Sequence, residues 1–211
     1  MNSLSQLEPK CLWQLFEQIC TIAHPSKHEQ KLSLWIQRWA KGLNLAIKED
    51  ASGNLFIKKP ATVGMEQCQG VILQAHMDMV PQKNNDTVHD FLTDPIKPYV
   101  ISSGDWVTAE GTTLGADNGI GLASALAVLA SNNLKHGPLE VLITINEEAG
   151  MTGAFGLEAG WLDGDVLINT DSEQEGEVYM GCAGGIDGHA CFNLDWNAVP
   201  SLGYGVHRPD N

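Results

Sequence analysis

Apolar residues recur at spacings of three and four in two early stretches, 8–22 (EPKCLWQLFEQICTI) and 27–44 (KHEQKLSLWIQRWAKGLN). That period predicts two amphipathic helices, the second preceded by Ser26 as a cap. Two short alternating segments, NLAIKED and NLFIKKP, flank Ala51-Ser52-Gly53 and predict a hairpin-like connection. From there the pattern changes. GVILQA, LEVLITI and DVLINT are continuous apolar runs bounded by polar residues, as expected of strands covered on both faces. GEVYMGC is expected to be a fourth such strand. Between these runs lie the apolar DNGIGLASALAVLASNN, read as a buried helix, and FGLEAGWL, read as a helical turn or two. Residues 81–115 are punctuated by proline, asparagine and glycine and read as loop. Strands alternating with helices predict an α/β domain with a largely parallel sheet and helices on both faces. No internal repeat or low-complexity segment interrupts it, and the pattern weakens after Gly188.

The ends of these runs carry the candidate chemistry, because open α/β sheets bind ligands beyond the carboxyl ends of their strands. After VILQA come His76 and Asp78, after LEVLITI come Asn146, Glu147 and Glu148, and after DVLINT comes Asp171. Asp117 opens the buried helix. Each has a plainer reading alone: Asp117 as a helix cap, Glu147 and Glu148 as solvated charges, Asp171 as a turn residue, His76 as a structural histidine. Their coincidence on one rim favours a shared site. One imidazole with several carboxylates suits Zn²⁺, Mn²⁺ or Co²⁺, and a single carboxylate can bridge two such ions. Asp78, on the same strand face as His76, can accept the second imidazole N–H and fix the ring. If the backbone is extended at Glu147 and Glu148, one can ligate while the other serves as general base.

Composition narrows the partners. Among 211 residues, 26 acidic side chains against 12 Lys and Arg leave a formal charge of −14, which disfavours nucleic acid and anionic membrane surfaces. No signal-peptide pattern or long apolar run is visible. Five cysteines, an odd number without CxxC spacing, read as reduced thiols in a cytoplasmic protein.

The motifs HMDMVP, GADNGIG, NEEAGMTGA and TDSEQEGEVYMGCAGG resemble, in order, those of the co-catalytic zinc metallopeptidase family that includes carboxypeptidase G and aminoacylase. The similarity is greatest to its bacterial aminoacyl-histidine dipeptidase branch and runs to about residue 186. The resemblance implies an α/β, three-layer zinc-peptidase-like catalytic domain over residues 1–187, incomplete and without the family's lid domain, followed by a divergent tail at 188–211. It implies two divalent ions, zinc foremost with manganese or cobalt as alternatives. His76, Asp117 and Asp171 would hold the first ion, and Asp117 with Glu148 the second. Glu147 would be the general base, and Asp78 would orient His76. The expected substrate is a small unblocked peptide of Xaa-His type. An N-acyl amino acid amidohydrolase and a catalytically impaired metal-binding fragment are the alternatives, and a homodimer is the expected assembly of the family. The family's distal histidine ligand has its only echo here in His207, within GVHRPDN. An unfinished sheet is expected to leave an exposed edge.

Overall fold

A computed structural model describes residues 4–172, 174–186 and 188–192. The chain divides into a unit spanning Met1–Glu175 and a second spanning Gly176–Asn211. Two helices come first, α1 (Lys10–Cys20) and α2 (Gln30–Gly42), then a hairpin of β1 (Ala46–Glu49) and β2 (Leu55–Lys59), then β3 (Val71–His76). A small hairpin, β4 (Pro98–Val100) and β5 (Val107–Ala109), precedes α3 (Ala116–Ala130) and β6 (Leu139–Thr144). The short α4 (Thr152–Phe155) and β7 (Val166–Asn169) complete the first unit.

The five-stranded sheet runs in the order β1-β2-β6-β3-β7. β3 pairs in parallel with both β6 and β7, while β2 is antiparallel to β6 and to β1. All strands but β2 therefore point the same way, and the largely parallel sheet expected from the apolar runs is present. β6 is central and buried at all six positions, which is why LEVLITI shows no alternation. β7 lies at the edge. Its Val166, Leu167 and Ile168 are about half exposed, and no strand pairs with its outer side among the described residues.

One sheet face carries the main core. Leu15, Phe16 and Ile19 of α1, Leu32 and Ile36 of α2, and Leu122, Leu126 and Leu129 of α3 close over Leu55, Ile57, Ala75, Val141 and Ile143. Burial of each such aliphatic side chain contributes roughly 1.5–3 kcal/mol. The other face is thinly covered. Among the described residues Phe56, Ile72 and Leu142 pack against Leu157, Trp161 and Leu162, with Trp161 tilted over Phe56 at 4.6 Å between ring centroids.

Four local expectations differ from the structure. Residues 157–162 form turns, because Gly156 and the positive φ of Gly160 stop the helix read from FGLEAGWL, and helical order is confined to α4 just before it. Among the described residues the long helices α1, α2 and α3 lie on one face of the sheet, and the other face has the short α4 and the turns after it. GEVYMGC forms no strand, and its Val178 and Met180 are fully exposed. The segment read as loop contains the β4–β5 hairpin, turned at Gly104 with φ 83°. Finally, α2 starts after Glu29, so Ser26 is not its cap. Among the described residues no helix is long and apolar enough to cross a membrane.

Leu126 is fully buried on the inner face of α3. Leu126→Ala is expected to lower unfolding free energy by about 2–5 kcal/mol. Leu34→Ala, on the exposed face of α2, should stay within about 0.5 kcal/mol. Urea unfolding of both variants measures the contrast.

Candidate metal centre

The carboxyl end of β3 places His76 and Asp78 in the interior, each only 1% exposed. The two imidazole nitrogens have different surroundings. Nδ1 lies 3.0 Å from the Asp78 carbonyl oxygen and 3.3 Å from Asp78 Oδ1. Nε2 faces outward to three carboxylates: Asp117 Oδ1 at 3.1 Å, Asp171 Oδ1 at 3.7 Å and Glu147 Oε2 at 3.9 Å. One side of the ring is thus held by protein, and the other is presented to an acidic cluster.

Asp78 is tied from three directions. Its carboxylate accepts the Ser26 hydroxyl at 2.8 Å and the backbone N–H groups of Glu147 at 2.9 Å and Glu148 at 3.2 Å. Burial pushes its pKa up, but the bonds from His76, Glu147 N–H and Ser26 outweigh it and hold the carboxyl below its ordinary range. Ser26 arrives there because the 24–26 segment runs beside the end of β3, with Met79 N–H donating to the His24 carbonyl and Ser26 N–H to the Met79 carbonyl. The loop after β6 is aimed by Asn146, whose φ of 54° turns the chain. Asn146 N–H donates to the buried Glu29 carboxylate at 3.0 Å, and its side-chain amide donates to Thr152 Oγ1 at 2.7 Å.

Every described residue expected at the site is brought to this rim. Ligand atoms of His76, Asp117 and Asp171 lie within 4.8 Å of one another, as do those of His76, Glu147 and Glu148. His207 falls outside the described residues. Asp117 is no helix cap. α3 is capped by Gly115 in the left-handed region, and Asp117 and Asn118 have non-helical dihedrals that set Asp117 apart from the regular helix. Ser26 and Glu29 were not recognisable as site residues from the sequence, whereas Asn146 was already placed at the strand end beside Glu147 and Glu148. Ser26 and Glu29 sit in a polar run that reads as a helix start.

The electrostatics fit a cation. Burial, the Asp117 hydrogen bond and the charges of Asp117 and Glu147 push the Asp171 carboxyl up to about 6, although His76 pulls the other way. Burial and the charges of Asp117, Glu147 and Asp78 raise Glu148 as well, again against His76. Burial lowers the His76 pKa, yet Asp78 and the surrounding carboxylates carry it to about 9. Such crowding of carboxylates around one imidazole is what a divalent ion would relieve, and the mixed N/O donor set suits zinc, manganese or cobalt. A hollow of about 290 Å³, walled by Leu142, Met151, Leu157 and Leu167, adjoins Glu147 and Asp171. A larger one, about 480 Å³, lies at the opposite ends of the strands beside the Lys58–Glu140 ion pair.

The sequence pattern of Peptidase family M20/M25/M40 matches residues 72–195, more than half of the chain. The chain belongs to that family. The cytosol non-specific dipeptidase of Escherichia coli (strain K12) is 63% identical over 201 residues, covering 95% of this chain and 41% of that protein. The crystal structure of aminoacylhistidine dipeptidase from Vibrio alginolyticus superposes with a TM-score of 0.84 at 67% identity, covering 86% of this chain and 36% of the other. A tripeptidase from Staphylococcus aureus gives a TM-score of 0.65 at 25% identity, covering 78% and 44%. This M20/M25/M40 chain thus spans about two-fifths of the length of the first two relatives. The five clustered side chains lie inside the matched segment, whereas Ser26 and Glu29 precede it.

Ser26→Ala removes a donor to the buried Asp78 carboxylate and should cost about 1.5–3 kcal/mol near neutral pH. A carboxyl whose pKa is depressed by folding contributes stability above its unfolded pKa and loses it as pH falls through the folded value. The Ser26→Ala penalty should therefore shrink in acid, which urea unfolding at several pH values measures.

Proposed function

We propose that this protein is a metal-dependent dipeptidase acting on unblocked dipeptides, Xaa-His peptides among them. Two divalent ions, zinc foremost, are its cofactors, and the cytoplasm is its compartment. The observation that carries this reading is the convergence of His76, Asp117, Glu147, Glu148 and Asp171 on one rim, with ligand atoms within 4.8 Å in two overlapping groups. The names of the Escherichia coli and Vibrio alginolyticus relatives supply the substrate class. The free thiols, Cys11 and Cys68 among them, accord with a reducing compartment.

In this reading His76, Asp117 and Asp171 hold one ion, and Asp117 and Glu148 share in the second. Ions bound there supply Lewis acidity, polarising the scissile carbonyl and making the attacking water more acidic. Glu147 is about one-third exposed and so accessible to solvent. It takes the proton from the attacking water and returns it to the leaving amine, which needs a carboxylate that is ionised before attack. Asp78, 1% exposed, acts through its neighbours. It keeps His76 Nε2 directed at the carboxylates, and it holds the Glu147 and Glu148 backbone in place. The apolar hollow beside Glu147 offers room for a substrate side chain.

Isothermal titration of the 211-residue protein with Zn²⁺, together with hydrolysis of β-alanyl-histidine and other free-amine dipeptides, tests the proposal. Glu147→Gln should lower turnover by about 10²–10⁴-fold while metal still binds. His76→Ala should abolish tight binding. Absence of any bound ion, or undiminished turnover in Glu147→Gln, would defeat it.

A further inference from the structure

We propose that Gly121 is a positioning residue: the side chains of Asn118 and Thr170 converge on it, and this seat sets the separation of the Asp117 and Asp171 carboxylates. The inference rests on the metallopeptidase reading above and deepens it.

The two carboxylates are not themselves locked by packing, because the Asp117 side chain is 50% exposed and that of Asp171 26%. What is held is the residue next to each. Asn118, following Asp117, is 2% exposed. Thr170, preceding Asp171, is tied to β3: its N–H and its hydroxyl both donate to the Gln74 carbonyl at 3.0 Å, two residues before His76. These two anchors meet at Gly121. A Cβ there would come closer than 3.0 Å to both Asn118 Oδ1 and Thr170 Oγ1. Glycine in the interior of a helix is otherwise disfavoured relative to alanine, so residue 121 sacrifices helix propensity where close approach is needed. A side chain at 121 would have to push Asn118 away from Thr170. Asp117 would move with the first and Asp171 with the second. The carboxylate separation, and with it the fit to an ion also held by His76, would change.

Gly119 provides the control. It lies two residues away, but its added Cβ would meet the Phe16 ring in the core and not Thr170.

The test is Zn²⁺ titration calorimetry of the intact 211-residue protein and its variants, with metal-free thermal unfolding measured in parallel. Wild-type protein that binds no ion would sink the metallopeptidase reading and this inference together. If it binds, Gly121→Ala should weaken affinity by about tenfold or more. Gly119→Ala should lower thermal stability and leave affinity near wild type. Affinity of Gly121→Ala within about twofold of wild type, or an equal loss in Gly119→Ala, overturns the positioning role alone. Should Gly121→Ala fail to fold, Thr170→Val keeps the shape but removes the hydroxyl tie to β3. Its affinity should fall by about threefold or more, and unchanged affinity overturns the proposal.

Discussion

The buried Asp78 carboxylate is the constraint on which the rest of the site depends. A charge with 1% exposure is tolerated only when its lone pairs are met by donors, and here they come from three separate pieces of chain. The imidazole of His76, the hydroxyl of Ser26 and the N–H groups of Glu147 and Glu148 all turn toward it. One desolvated group thereby fixes the ring and the loop after β6 and draws in the segment before α2. Replacing any donor by water would require opening the core, which ties the site's geometry to the cooperativity of the fold.

The outward half of the site is governed by the opposite effect. Asp117, Glu147, Glu148 and Asp171 crowd around one imidazole edge, and their mutual repulsion, with burial, raises Asp171 to about 6 and Glu148 in the same direction. A folded protein keeps such an arrangement at some cost in stability. The parallel strands make it possible: β3, β6 and β7 all end at the same edge, so the residue following each is delivered to one place. α3 contributes Asp117 to that edge because its first residues leave the helical path before the regular helix begins.

The sheet's two faces contrast sharply. The helical face is closed by a deep aliphatic core, and among the described residues the other is covered by the short α4 and the turns around Trp161. The half-exposed apolar residues of β7 lie at an edge with no strand beyond it among the described residues. Rigidity of the site therefore comes mainly from the helical side, where α1 and α3 pack together over β3, the strand that carries His76.

Much of this was legible in the residues themselves. Continuous apolar runs specify buried strands because both faces must be covered, and period-3.6 patterning specifies α1 and α2, so the α/β class follows from hydrophobic spacing alone. The clustering at the strand ends was equally readable: His76, Asp78, Asp117, Glu147, Glu148 and Asp171 all lie where an apolar pattern begins or stops. Tertiary structure decided what local patterning does not encode. FGLEAGWL has a helical pattern, but its glycines and the surface offered by Phe56 and Ile72 make it a set of turns. GEVYMGC has strand composition but joins neither sheet of the described residues, and a strand exists only through its neighbours' hydrogen bonds. Ser26 reads as a helix cap from its own surroundings, yet it belongs to Asp78, 52 residues away. Hydrophobic periodicity is a local record of which face is buried. Pairing between distant donors and acceptors leaves no such record, because it depends on where the folded chain brings them.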